Sequence, residues 1–170
     1  MVLAAKAAKG DRAAFHELVD RHAQRLYRLA VSLVGGAADA EDVLQETFAG
    51  AFRNLRTFEA RSSVKTWLSR ILVIQAAKWR RERTRRGGEE PMPAGIAAGD
   101  QTAAAQARID LDAALQQLSP EHREVLVLRE MQQMSYEEIA QALDIPRGTV
   151  ESRLHRAREQ LREKLQAYLP

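Results

Sequence analysis

Apolar residues recur along most of this chain at the spacing of amphipathic helices. Phe15, Leu18, Val19, His22, Leu26, Ala30 and Leu33 share one helical face. Asp11 precedes that face as a cap, and Gly35-Gly36 predicts its stop. A second helix is predicted from about Asp39, with Leu44, Thr47, Phe48, Ala51 and Leu55 on its inner side. A third starts near Ser62 or Ser63, turns Val64, Trp67, Leu68 and Ile71 inward, and ends in "KWRRERTRR". The stretch "GGEEPMPAGIAAGDQTAAAQ" is then rich in glycine, proline and alanine and almost free of bulky residues, so it reads as a linker.

A second helical block begins near Arg108. Ile109, Leu111, Leu115 and Leu118 predict one helix. Ser119-Pro120 restarts the chain with a cap and a first-turn proline, and Val125, Leu126 and Leu128 continue inward. Ser135 with Glu138 three residues on is a capping box for a short helix that buries Ile139, Ala140 and Leu143. Asp144-Ile145 makes a tight turn, Pro146 suits the first turn of the next helix, and Val150, Leu154, Ala157 and Leu161 form its buried stripe. Helix, tight turn, helix is the grammar of the DNA-binding helix-turn-helix. No strand pattern and no internal repeat is evident, so the expected fold is all-α: two small helical domains on a flexible linker.

Composition narrows the class. Hydrophobic residues make up 45% and charged residues 29%, which predicts a globular chain rather than a disordered one. The absence of cysteine removes disulfides and thiolate metal sites. No apolar run reaches the roughly 20 residues of a membrane span, and no export signal is evident at the start, so a cytoplasmic protein is expected. The net charge is only +3, but its distribution is uneven.

On the last predicted helix, Arg147 and Thr149 sit at the end that enters the major groove first; Ser152, His155, Arg156 and Glu159 face away from the buried stripe, with Glu151 and Arg153 at its flanks. Arginine can hold guanine in a bidentate pair, and glutamate can accept from the cytosine amino group. Glu151 is therefore either a base reader or a solvated acid paired with Arg147 or His155 one turn away. Arg153, Arg156, Arg158, Arg162 and Lys164 suit phosphates, although Arg158 lies close enough to the buried side to pair within the domain.

The first block carries two contrasting surfaces. Asp39, Glu41, Asp42, Gln45 and Glu46 line the outer side of its second helix. Acids in a first turn suit the helix dipole, but Gln45 and Glu46 lie beyond it. An acidic face repels DNA and suits a protein partner. The third helix ends with Lys78, Arg80, Arg81, Arg83, Arg85 and Arg86 around Trp79, with Glu82 the lone acid, which suits phosphates. The polar loop before it, "RTFEARSSVKTW", offers Phe58 beside polar groups that could hold unpaired bases. No second ligand is spaced to make His155 a metal ligand, and no carboxylate cluster suggests an enzyme such as a nuclease. A repressor or activator with a sensory N-terminal domain fits the helix-turn-helix but not the acidic face.

The segments "GDRAAFHELVDRHAQRLYRLAVSLVG", "DAEDVLQETF", "TWLSRI" and "LSPEHREVLVLREMQQMSYEEIAQALDIPRGTVESRLHRARE" together resemble the two-domain sigma factors of bacterial RNA polymerase, of the extracytoplasmic-function group. The resemblance implies a core-binding and −10 domain over 1–86, a linker over 87–107 and a −35 domain over 108–170. It implies that Asp39, Glu41, Asp42, Gln45 and Glu46 meet the clamp helices of the largest polymerase subunit. Phe58, Arg61, Ser62, Lys65, Lys78 and Arg81 would engage and melt the −10 element. Arg147, Thr149, Glu151, Ser152, Arg153, His155 and Arg156 would meet the −35 element, with the flap of the second-largest subunit nearby. Glu89, Glu90 and Asp100 of the linker would run towards the RNA exit channel. An anti-sigma factor is the implied inhibitor, and no cofactor, metal or bond chemistry is implied. Many relatives carry Asn and Asp where this chain has Ile74 and Lys78, so the family's −10 preference does not carry over.

Overall fold

The computed structural model describes residues 2–58, 62–87 and 103–166. Arg61 and the segment with Glu89, Glu90 and Asp100 lie outside them, as does the side chain of Ile109. Among these residues eight α-helices follow in order: α1 Val2–Ala8, α2 Arg12–Val34, α3 Ala37–Asn54, α4 Val64–Arg85, α5 Ala103–Gln116, α6 Pro120–Glu130, α7 Tyr136–Leu143 and α8 Arg147–Gln166. A single 3-10 turn, Leu55–Thr57, follows α3.

The helix starts fall where side chains satisfy orphan N–H groups. Asp11 accepts from the Ala14 N–H at 3.0 Å, and Ser63 accepts from Thr66 at 3.0 Å. Ser119 caps α6, and Ser135 with Glu138 closes a reciprocal capping box on α7. Gly35 ends α2 in the left-handed region at φ 84°, where a side chain would be strained. A Cβ there would also meet Gln116 Cδ at 3.1 Å. Asp144 takes the same region at the α7–α8 turn, as aspartate tolerates.

The structure departs from the sequence pattern in three places. The N-terminal stretch forms α1, which buries Ala4 and Ala7 against the first block. Seven residues without a capping signal give little periodicity to detect. Helix α5 begins at Ala103, inside the stretch read as linker, because "AAAQA" has the highest helix propensity available. On α5, Leu111 stays 40% exposed while Ala114 and Leu115 are buried.

The two blocks do not stand apart. One continuous core runs from Leu18, Leu29 and Leu33 in α2 and Leu68 and Leu72 in α4 to Leu128, Met134, Ile139 and Leu154 in the second block. Helix α4 packs on α7, and α2 packs on α5 and α6. Polar contacts follow this seam. The backbone oxygen of Gln132, in the α6–α7 turn, accepts from Arg25 at 2.7 Å and from Lys65 at 3.2 Å. Thr66 donates to the Glu138 carboxylate at 2.9 Å, and Arg70 donates to the Gln141 carbonyl at 3.3 Å. Arg80 pairs with Glu124 in a largely buried position.

Glu138 therefore serves both the α7 cap and the seam. The Ser135 backbone N–H, Thr66 and Lys65 hold its carboxyl below the usual carboxylate range, against the opposing effect of burial. A depressed folded pKa contributes stability above the unfolded value, about 4.3, and loses it as pH falls through the folded value. Glu138→Gln is thus expected to destabilise the protein at neutral pH by about 1 kcal/mol. The gap to the parent chain should close on acidification below about pH 4; urea denaturation across pH measures it, and a pH-independent gap would count against this role.

Candidate nucleic-acid interface

Helix α8 is positioned by its apolar stripe. Val150, Leu154 and Ala157 are fully buried against the second block, and Leu161 is partly buried. The Pro146 carbonyl accepts from Thr149 at 2.9 Å and Val150 at 3.2 Å, so the proline stands just ahead of the helix. This geometry turns Arg147, Glu151, Ser152, His155 and Arg156 outward, while Thr149 and Arg153 are half-buried.

The exposed side chains are not equivalent. Arg147 is held between two acids: its Nη1 lies 2.8 Å from Glu137 of α7, and its Nε donates to Glu151 at 3.0 Å. In this structure Glu151 is thus the partner of Arg147, not of His155. Glu137, at the start of α7, is itself held below the usual carboxylate range by a backbone N–H and, more weakly, by Arg147. Arg153 reaches Glu121 of α6 at 2.9 Å, and Ser152 donates to the Thr149 carbonyl at 3.1 Å. His155 lies 3.4 Å from Glu159. Arg158 pairs with Glu130 at 2.9 Å, the intradomain role open to it from its position near the buried side. Arg156 is exposed and has no ion pair among the described residues, so its guanidinium is the group on this face with no acid to displace.

In the first block, Glu41, Asp42, Gln45 and Glu46 are exposed along the outside of α3. Asp39 is half-buried and lies 3.5 Å from Arg83, and Glu46 lies 3.9 Å from Arg53. The Glu46–Arg53 pair is loose and solvent-washed, worth little to stability, and the Asp39–Arg83 pair is partly screened. The outer side of α4 carries Lys78 and Arg81, both exposed, with Lys78 3.9 Å from Glu82.

The loop residues are placed differently. Phe58 packs on Trp67, with ring centroids 4.8 Å apart, and both join the core. Ser62 is half-buried just before α4, and Lys65 is tied to Gln132 of the second block. The candidates for −10 contact therefore divide: Lys78 and Arg81 face solvent, whereas Lys65 faces the seam.

Two residues of the seam had no signal in the sequence. Arg123, 4% exposed, donates Nε to the Leu115 carbonyl at 2.8 Å. Its Nη1 donates to Leu33 at 3.0 Å and its Nη2 to Gln116 and Leu118 at 2.6 and 3.0 Å. Gln132 is 1% exposed. "EHREV" and "MQQM" look like solvated polar stretches, and burial by a distant block leaves no local periodicity. Among the described residues, no three acidic or histidine side chains gather where a metal could bind, and no helix is long and apolar enough to cross a membrane.

Known proteins share both blocks. The family described as sigma-70 region 2 matches residues 18–86, and sigma-70, region 4 matches residues 108–161. The ECF RNA polymerase sigma factor SigE of Mycolicibacterium smegmatis is 40% identical over 173 residues; the match covers 93% of this chain and 65% of SigE. SigW of Bacillus subtilis, another ECF RNA polymerase sigma factor, is 33% identical, with 92% of this chain and 91% of SigW covered. Among solved structures, CnrH in complex with the cytosolic domain of CnrY superposes with a TM-score of 0.76 at 32% identity. That match covers 98% of this chain and 96% of CnrH. The sigma factor RpoE of Bartonella quintana, in complex with the anti-sigma factor NepR, gives 0.77 at 30% identity over 89% of this chain and 96% of RpoE.

Proposed function

This chain belongs to the extracytoplasmic-function group of the sigma-70 family, and from that premise we propose how its faces divide the work of promoter-specific initiation. The observation that carries the reading is the opposition of surfaces: an acidic, exposed outer side on α3 against basic outer sides on α4 and α8. Asp39, Glu41, Asp42, Gln45 and Glu46 dock on the clamp helices of core polymerase. Helix α8 enters the major groove of the −35 element through Arg147, Thr149, Glu151, Ser152, Arg153, His155 and Arg156. Phe58, Arg61, Ser62, Lys65, Lys78 and Arg81 engage the −10 element, where duplex melting begins. The second block also meets the flap of the second-largest subunit. The protein carries out no bond chemistry and needs no cofactor; it acts in the cytoplasm, where its partners are.

The closed seam has a consequence in this reading. Lys65 and Thr66 are engaged by Gln132 and Glu138, so contact with the −10 element through Lys65 requires the blocks to separate. An anti-sigma factor would act by holding them closed. Support comes from CnrH and RpoE, which were solved with CnrY and with the anti-sigma factor NepR and match nearly the whole of this chain.

Affinity capture with core RNA polymerase tests the assignment. The chain is expected to be retained by core enzyme, and absence of binding would overturn it. Within the −35 contact, Arg156→Ala should weaken promoter binding. A base contact would lose about 1–3 kcal/mol at one base pair only. A phosphate contact would lose affinity uniformly and lower the salt slope by about one unit. Fluorescence titration at several salt concentrations separates the two, and no loss of either kind would remove Arg156 from the interface.

A further inference from the structure

Helix α4 presents one continuous outward stripe. Arg70, Ile74, Lys78, Arg81 and Arg85 are all exposed and follow one another at helical spacing. Four are cations. The fifth is isoleucine, 52% exposed, although the same helix buries Leu68, Leu72 and Val73 and half-buries Val64, Trp67 and Ile71. Burial of the helix thus accounts for its other large aliphatic side chains and leaves Ile74 on the wrong side of it. The neighbouring charges are lightly committed. Lys78, exposed, lies 3.9 Å from half-buried Glu82, and Arg70 donates to the Gln141 carbonyl at 3.3 Å. Arg81 and Arg85 have no ion pair among the described residues.

A surface of this kind fits a polyanion whose bases offer an apolar group between the phosphates. A protein partner would have to place acids opposite several of these cations along the length of the stripe. DNA supplies both parts at once: phosphates for the cations, and in the major groove a single aliphatic feature, the 5-methyl of thymine. Resting on the assignment of α4 to the −10 element, we infer that Ile74 reads a thymine methyl in the promoter. It is a specificity-determining residue, and Arg70, Lys78, Arg81 and Arg85 place it by gripping phosphates on either side. The lack of a polar group at position 74 is then a preference in its own right: the side chain can favour a methyl but cannot form a hydrogen bond with a base edge.

The test uses holoenzyme assembled from this chain and core polymerase on a promoter it transcribes. Deoxyuridine replaces each thymine of the −10 element in turn, on each strand, which deletes only the methyl. At one position, open-complex formation by the parent holoenzyme should fall about fourfold, the worth of one aliphatic carbon kept from water. The same replacement should have no effect with Ile74→Ala, an exposed change that leaves the fold intact. Equal sensitivity of the parent and Ile74→Ala at every thymine would overturn the inference while leaving the promoter assignment standing. So would loss of core binding by Ile74→Ala with an unchanged thymine profile, which would give this side chain to a protein contact. Failure of the parent chain to direct any promoter would remove the promoter assignment and this inference with it.

Discussion

Arg123→Ala is expected to destabilise the protein by about 3–5 kcal/mol, although the residue is not among the proposed promoter contacts. Its guanidinium sits where three helices meet. The carbonyls of Leu115, Gln116 and Leu118 are at or just beyond the C-terminal end of α5, and that of Leu33 is near the end of α2. Such carbonyls have no partner within their own helix and carry the negative end of its dipole. One buried cation satisfies both helix ends, and Gln116 Oε1 accepts from it as well at 2.6 Å. Removing it leaves several buried acceptors without a donor and loosens the junction of the blocks. Arg123→Lys keeps the charge but lacks the planar fork, and should recover less than half of the loss. Chemical denaturation measures both; a loss below about 1 kcal/mol for Arg123→Ala would show that water replaces the fork at little cost.

Charge reversal on α3 should have the second large effect, this time on binding alone. In Asp42→Lys/Glu46→Lys, both positions are exposed, and among the described residues the ion pair displaced is the loose one between Glu46 and Arg53. Folding stability should therefore change by no more than about 0.5 kcal/mol. If this face meets a basic patch on polymerase, two like-charge contacts replace two attractive ones, at several kcal/mol. Affinity for core enzyme should fall at least a hundredfold on that scale. A fluorescence titration in which the variant binds core within about threefold of the parent would move the polymerase contact to another face.

How much of this was legible in the sequence depended on how far each interaction reaches. Capping is local: Asp11, Ser63, Ser119 and the Ser135–Glu138 box each act within three residues, and each helix starts where its cap predicts. The buried stripe of α8 is equally local, since Val150, Leu154 and Ala157 recur at helical spacing. Acidic and basic outer faces follow from the same winding. What the spacing leaves open is pairing across space. Glu151 could be solvated, read a base or bind a neighbour, and only the folded turn brings Glu137 to the other side of Arg147. The seam is beyond any window, because Arg123 and Leu33 are far apart in sequence and Lys65 meets Gln132 from the opposite block. For that reason the two helical blocks were legible in the sequence, and the core they share was not.

That this chain confers promoter choice on a polymerase that lacks it is a claim that run-off transcription with purified core enzyme on fragmented genomic DNA checks. Adding the chain should produce a limited set of start sites sharing one −35 and one −10 sequence, and the Asp42→Lys/Glu46→Lys variant should produce none. Transcripts whose start sites are the same with and without the chain would contradict the claim.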